Sequence, residues 1–423
     1  MRPCVGAVLR RRSGGAAVTT KMRPFGDIIS LDEARRRIDE AVQPIDRVDR
    51  VRLEEANGRV LAMTIFAPGD VPPFARAAMD GYAVRAHDTT GAARDAPRVL
   101  TRIETLYTGE VARRTVAAGE CIEIATGAPM PPGADAVVIV EDTDGEASGA
   151  VQVFAAVSPG QNVGRQGADI RSGQVVLEAG TTLTPSRIGA VAALGLVDVP
   201  IFARPRVAIL STGNEIVDPG RPLAPGQIYD VNRFTLAAVV SQNGGEPVAY
   251  RAAGDTLDDL NRAIDEAHKE DVLVFSGGSS VGERDLILDV LAARGEVIFH
   301  GIAVKPGKPT AFGRVHGKLF FGMPGYPASC LTNAYVLLAP VVRCMSRLAP
   351  QPARTVLLPL SARVASAPGR HQFYTVRIAG GEAVPAFKSS GDITSMSQAD
   401  GYIEIAASEN YVEKGTVVEV KLF

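Results

Sequence analysis

Apolar residues follow two different periods along this chain. From Leu31 to about Val42 they recur every three or four positions, which predicts an amphipathic helix, and Ser30 and Glu33 stand at the S-x-x-E spacing of a capping box in front of it. Across residues 47–154 the apolar runs are short and end at turn formers: VRLEEANGRVLA, DGYAVRA, PRVLTRIETLY, ECIEIA, DAVVIVED and AVQVFAAV. They predict strands without a long helix. Residues 160–188 are Gly-rich and polar and read as a connector that returns toward the first helix.

From about residue 187 the pattern changes to continuous apolar runs separated by helical periods. RIGAVAALGL reads as a helix, RVAIL (206–210) as a buried strand, residues 232–243 as a helix opening at Asn232, EPVAYRAA as a strand, and Asp255-Thr256 as the cap of a helix reaching His268. DVLVF (271–275) is a second buried strand. It is followed by a helix from about Arg284 to Ala293, the strands VIFHGIAV, TAFGRV and KLFFG, and a last helix from Tyr326 to Met345. Apolar strands alternating with helices predict an α/β domain with a largely parallel sheet. After Pro350-Gln351-Pro352 only strand patterns remain, a small all-β module. The chain is therefore divided into residues 1–22, a disordered tail or an over-long start; 23–46 with 155–187, a linker domain; 47–154, a β-rich domain; 188–347, the α/β domain; and 348–423, a C-terminal β domain.

Composition narrows the function. With 423 residues, 46% apolar, 22% charged and a net charge of −2, the chain is an ordinary multidomain globular protein, and the near-neutral charge argues against nucleic acid as a partner. It has no Trp and few aromatics, which argues against a stacking surface for nucleic acid bases. No apolar run approaches the roughly 20 residues that span a bilayer, so no membrane partner is expected. Cys4, Cys121, Cys330 and Cys344 are scattered and form no CxxC, and the five histidines form no HxxxH or HxH. A reducing, cytoplasmic setting is expected. Residues 1–22 carry Arg2, Arg10, Arg11, Arg12 and Lys21 and no acid, yet lack both a good amphipathic helix and a signal-peptide apolar core.

The chemistry is expected at the carboxyl ends of the α/β strands, where open parallel sheets bind ligands. Three small-residue loops follow strands there: Ser211-Thr212-Gly213, Ser276-Gly277-Gly278-Ser279-Ser280-Val281-Gly282, and Gly322-Met323-Pro324-Gly325-Tyr326-Pro327. The last two run into helices, and amides at a helix N-terminus with small hydroxyls make an anion cradle. Beside them lies Lys305-Pro306-Gly307-Lys308-Pro309, in a chain with only eight lysines against 37 arginines. Prolines fix the backbone, so the ammonium groups are held for an oxyanion at less entropic cost. Asp230 and Asp285 stand on phosphate-type loops, where a carboxylate beside phosphate calls for Mg²⁺ between them. Asp255 and Glu283 read first as helix caps or first-turn charges. Gly278-Ser279-Ser280-Val281-Gly282 also matches G-x-S-x-G, with His300, His316 and His371 downstream, so a hydrolase triad stays open. No P-loop or GxGxxG occurs.

Eight ordered motifs, PPFARAAMDGYAVRAHD (72–88), IATGAPMPPGADAVVIVED (124–142), GQNVGRQGADI (160–170), STGNEI, GQIYDVNR (226–233), SGGSSVG, KPGKP and GMPGYPAS (322–329), resemble the MoeA family of molybdopterin molybdenumtransferases, related to the C-terminal domain of gephyrin. The resemblance spans about residues 25–423. It implies a dimer of elongated four-domain subunits, with a molybdopterin-binding α/β domain and a barrel-like C-terminal domain. It implies Mg²⁺-dependent insertion of molybdate into adenylylated molybdopterin, giving the molybdenum cofactor and AMP. By the same resemblance Asp80, Thr126, Asp169 and Asp230 are catalytic, and Asp80 faces the partner subunit's cleft, where it is expected to hold the metal beside Asp230 and Asp285 or to orient the attacking water. Lys305, Lys308 and Pro309 take the oxyanion. Ser211, Thr212, Gly213, Gly277, Gly278, Ser280, Gly282, Pro324, Gly325, Ser329 and Ser390 take substrate phosphate.

The chain departs from the family pattern at Tyr326, where Asn is usual, at Gly164, and at Thr375, for which Arg370 or Arg377 could substitute. These leave molybdate against tungstate open, and with it a tungstate-inserting paralogue. A molybdopterin adenylyltransferase is the rival enzyme, and KPGKP, the MDGYA domain and the C-terminal module argue against it. A non-enzymatic scaffold is the rival outside enzymes. A molybdopterin adenylyltransferase, molybdoenzymes and their chaperones are the expected partners besides a second copy.

Overall fold

The computed structural model describes residues 28–145, 148–250, 254, 256–277 and 286–423. The readings made for residues 1–22 and for Asp255, Gly278, Ser280, Gly282, Glu283 and Asp285 lie outside them. The chain forms two compact units, one of residues up to Asp46 with Ala203–Phe423, the other of Arg47–Phe202.

The first unit opens with helix α1, Leu31–Ala41. Ser30 caps it, its Oγ accepting the Glu33 N–H at 3.2 Å. The Glu33 carboxylate pairs instead with Arg36 and Arg37. The α/β layer then follows in chain order as β1 (Arg206–Ser211), α2 (Asn232–Gln242), β2 (Glu246–Ala249), α3 (Leu257–Glu266), β3 (Val272–Ser276), α4 (Leu286–Arg294), β4 (Gly295–His300), β5 (Ala311–Val315) and β6 (Lys318–Met323). The sheet order is β2-β1-β3-β6-β5-β4, parallel from β2 to β6, with β5 and β4 antiparallel at the edge. Alternation along the strands fills both faces. Val207, Ile209, Val272 and Val274 enter one core, while Ala208, Leu210, Leu273 and Phe275 enter the other.

Helix α1 brings Leu31, Ala34, Ile38 and Ala41 into the first of these cores. The sequence reading grouped 23–46 with 155–187 as a linker domain; the packing observed for the helix is with the α/β layer. An amphipathic stripe shows that a helix needs a partner, and the partner here is the α/β layer. The last helix, α5, runs from Pro327 to Met345 and is long and apolar enough to cross a membrane, unlike the sequence expectation. Its apolar residues Cys330, Ala334, Leu337, Leu338, Val341 and Val342 are buried in the same core. Ala334–Leu338 is a π-helical turn, with the Ala339 N–H on the Ala334 carbonyl, just before Pro340, which has no N–H to offer.

The C-terminal strands pair in the order His371–Ala379, Gly401–Ile405, Val417–Leu422, Thr355–Pro359. Glu382–Pro385 pairs with the first of them, and a bridge from Leu360 to Ala383 closes the ring. Its interior holds Leu360, Val376, Ile403, Ile405 and Val420. Two residues of the α/β layer, Val304-Lys305, join the edge of this sheet in parallel beside His371-Gln372. Glu404 stands at this junction, accepting from His371 Nε2 at 2.8 Å and Lys421 Nζ at 2.6 Å. Burial would raise its carboxyl, but the bonds from His371 and Lys421 outweigh burial and hold it at about 2. A depressed carboxyl stabilises the fold above its unfolded value near 4.5 and ceases to do so as pH falls through about 2. Glu404→Gln should therefore cost about 1–3 kcal/mol at neutral pH. It should also flatten the fall of Tm between pH 4.5 and 2, measured by thermal unfolding. An equally steep acid limb in the variant would show that Glu404 does not carry it.

The second unit holds a six-stranded sheet in the order Ala136–Ile139, Gly81–Val84, Glu120–Ile124, Arg98–Leu106, Ala150–Val153, Thr143–Gly145. It matches the strands expected for 47–154. Beside it, Val48–Arg52 pairs with Asp198–Phe202, and helix Pro185–Ala193 packs Val191 with Leu61, Leu183 and Ile201. This second compact unit ends at Phe202.

Candidate active site

The ends of β1, β3 and β6 surround a cavity of about 920 Å³ in the first unit. Each loop there is tied to the next. The Thr212 N–H donates to the Ser276 carbonyl at 3.0 Å, and the Gly277 N–H to that of Met323 at 3.2 Å. Gly277 has φ +98°, and a Cβ on it would stand 2.6 Å from the Thr212 carbonyl oxygen, so only glycine allows this approach. Ser211, Thr212, Gly213, Gly277, Pro324, Gly325 and Ser329 all line the cavity, as expected for phosphate. Ser329 lies in the first turn of α5, so small hydroxyls and a helix N-terminus meet in one place.

The cationic loop lines the same space through Lys305, Lys308 and Pro309. Asn333 of α5, 1% exposed, holds the loop from beneath. Its Nδ2 donates to the Gly307 carbonyl at 2.9 Å and to Thr310 Oγ1 at 2.6 Å. Lys305 is half-buried and has no carboxylate partner among the described residues. Ser390 and Arg370 of the C-terminal module complete this lining. Of the two suggested stand-ins at the Thr375 departure, Arg370 reaches the cavity and Arg377 does not. Thr375 itself is buried in the C-terminal module, away from the cavity.

Among the described residues two carboxylates line the cavity, Asp230 and Glu215. Asp230 is 5% exposed; its Oδ1 accepts the Arg233 N–H of α2 at 3.0 Å and its Oδ2 lies 3.7 Å from Arg233 Nε. Asp230 thus both holds the start of α2 and lines the cavity. Burial, with the Asp230 charge adding to it, pushes the Cys330 thiol well above its ordinary range, so it is no nucleophile here. Glu215, exposed, lies over Gly213. Sequence reasoning quoted it within STGNEI without selecting it, and passed over Asn333, an amide standing in an apolar helix run. His300, His316 and His371 are not among the residues lining the cavity, and Ser280 of the hydrolase reading lies outside the described residues.

Asp80, Thr126 and Asp169 belong to the second unit. Asp80 Oδ1 accepts from the Thr126 N–H at 2.7 Å and from its Oγ1 at 3.0 Å. These bonds, the backbone one first, lower the Asp80 carboxyl below the usual range. Asp169 is exposed, and among the described residues no hydrogen bond joins it to Asp80 or Thr126. No group of three or more His, Cys, Asp or Glu suited to a metal occurs among the described residues, and Asp285 lies outside them.

Comparison with known proteins agrees along the chain. Residues 29–195 match the family described as MoeA N-terminal region (domain I and II), 208–344 a probable molybdopterin binding domain, and 358–423 the MoeA C-terminal region (domain IV). Molybdopterin molybdenumtransferase 2 of Mycobacterium tuberculosis H37Rv is 35% identical over 403 residues, covering 92% of this chain and 98% of that one. The Haemophilus influenzae molybdopterin molybdenumtransferase is 36% identical, covering 74% of this chain and 77% of its own. The crystal structure of a molybdopterin biosynthesis moea protein from Pyrococcus horikosii superposes with a TM-score of 0.80 at 38% identity, covering 94% of this chain and 99% of that one.

Proposed function

Because the chain belongs to the MoeA family of molybdopterin molybdenumtransferases, we propose that its cavity inserts molybdate into adenylylated molybdopterin, with Mg²⁺, giving molybdenum cofactor and AMP. The observation that carries this reading is the convergence of Lys305 and Lys308 on the cavity built by three strand-end loops and the N-terminus of α5. In it the loop amides and Ser329 hold phosphate oxygens, and the lysines with Arg370 hold the tetrahedral oxyanion beside them. Bringing both substrates into one cavity is itself a large part of such a reaction, since it replaces an encounter by a fixed geometry.

The donor set fits Mg²⁺. Asp230 and Glu215 offer hard oxygens in the cavity, and Mg²⁺ takes one or two carboxylates with substrate phosphates rather than an all-protein cage. When bound, the ion neutralises charge between carboxylates and phosphates. Asp80 and Thr126 are proposed to serve the cavity of a second copy in a homodimer. The expected suppliers and recipients are an adenylyltransferase and molybdoenzymes or their chaperones. The cysteine usage supports a cytoplasmic setting.

The test is reconstitution. Given adenylylated molybdopterin, Mg²⁺ and molybdate, the chain should release AMP and yield a cofactor that activates an apo-molybdoenzyme. Activation with tungstate alone would mark a tungstate-inserting enzyme. Formation of adenylylated molybdopterin from ATP, without insertion, would overturn the reading in favour of an adenylyltransferase.

A further inference from the structure

We propose that the ring of Tyr326 is the stacking surface for the purine of the nucleotide held in this cavity, an inference that rests on the function proposed above. Part of the cavity lining suits phosphate and oxyanion, namely hydroxyls, glycines, lysines and an arginine, beside aliphatic side chains such as Ile216 and Leu286. Tyr326 is different. It is 68% exposed, yet it lines the cavity. Its hydroxyl has no partner among the described residues, whereas Tyr229, the other tyrosine of the lining, donates to the Arg221 carbonyl at 3.0 Å.

The backbone that carries the ring is fixed from several sides. Asn232 Nδ2 donates to the Gly325 carbonyl at 2.8 Å, the Cys330 N–H to the Tyr326 carbonyl at 2.9 Å, and the Ala328 N–H to the Ser390 carbonyl at 3.2 Å. Asn232 is 8% exposed and its Oδ1 is left without a partner, so this amide serves the loop rather than its own satisfaction. The ring therefore springs from a fixed backbone and keeps an open face. Gly391 passes its edge, where an added Cβ would lie 3.9 Å from the ring's Cδ1.

Position decides what meets that face. Tyr326 is the N-cap of α5, whose first turn offers the amide N–H groups and Ser329 to a phosphate. In a nucleotide only a ribose separates phosphate from base. A phosphate at the start of α5 thus leaves its base within reach of a ring on the same turn. Purines stack on tyrosine through their faces whatever their edges carry.

The full chain contains no Trp, so Tyr326→Trp makes a single fluorescent reporter. AMP should quench it, and ribose 5-phosphate, which lacks the base, should bind by calorimetry without quenching. Tyr326→Ala should weaken AMP about 10-fold and leave ribose 5-phosphate unchanged, while Tyr326→Phe should match the parent. Equal losses for both sugar phosphates, or none for AMP, would overturn the stacking role and leave the phosphate site standing. An effect on 6-hydroxymethylpterin but not on AMP would overturn the purine assignment. A parent chain that binds neither sugar phosphate would overturn the function proposed above together with this inference.

Discussion

Replacing Lys305 and Lys308 together by Ala is expected to raise the molybdate needed for half-maximal cofactor formation roughly 100-fold, and either change alone about 10-fold, on the scale of lost charge-assisted contacts. The loop is held in place by its surroundings. Gly307 has φ +105° and a Cβ there would stand 2.4 Å from Asn333 Nδ2, so the backbone between the two lysines is fixed by a buried amide of α5. Since Lys305 has no carboxylate partner among the described residues, its removal strands no counter-charge, and the Tm of the Lys305→Ala variant should change little. Titrating molybdate at saturating adenylylated molybdopterin reads the effect directly. Unchanged molybdate dependence in the double variant would remove these lysines from the oxyanion site. A fall in Tm matching the loss would mark the loop as structural.

What the sequence made legible follows from how far each feature reaches along the chain. β1 and β3 stood out because burial on both faces makes their runs continuous, and the glycine loops after them because tight strand-to-helix turns need such residues. The helix Leu31–Ala41 was equally plain, but its stripe carries no mark of what it meets, so its place with the α/β layer emerged only from packing. Val304-Lys305 is too short to show a strand period, and its partner lies at His371-Gln372. That non-local pairing is what brings the C-terminal module, with Arg370, to the cavity. Asn333 had a signal, a lone amide in an apolar run, but its use depends on a glycine carbonyl 26 residues away. Thr375 shows the converse: a departure in sequence that lies buried away from the site.

Asp80→Asn is expected to keep the fold and to lower AMP release by about 100-fold or more, the scale of a positioned acid–base group. Asp80 Oδ1 accepts both Thr126 bonds, and an amide oxygen can do the same. The oxygen replaced is Oδ2, which takes no hydrogen bond among the described residues, so the change removes charge and one basic atom with little else. The Thr126 bonds lower the carboxyl, so Asp80 is ionised throughout the neutral range and no activity limb near neutrality should be lost with it. Because Asp80 lies in the second unit and the cavity in the first, the proposed homodimer adds a sharper test. Asp80→Asn chains are mixed with chains carrying Lys305→Ala and Lys308→Ala, at a molybdate concentration where each alone is strongly impaired. If each cavity uses the aspartate of its neighbour, a heterodimer holds one complete site and one doubly damaged one, and partial activity returns. If each chain serves itself, both sites stay damaged. Verified heterodimers without activity would show that Asp80 acts within its own chain or only supports its turn, and the shared site would be abandoned.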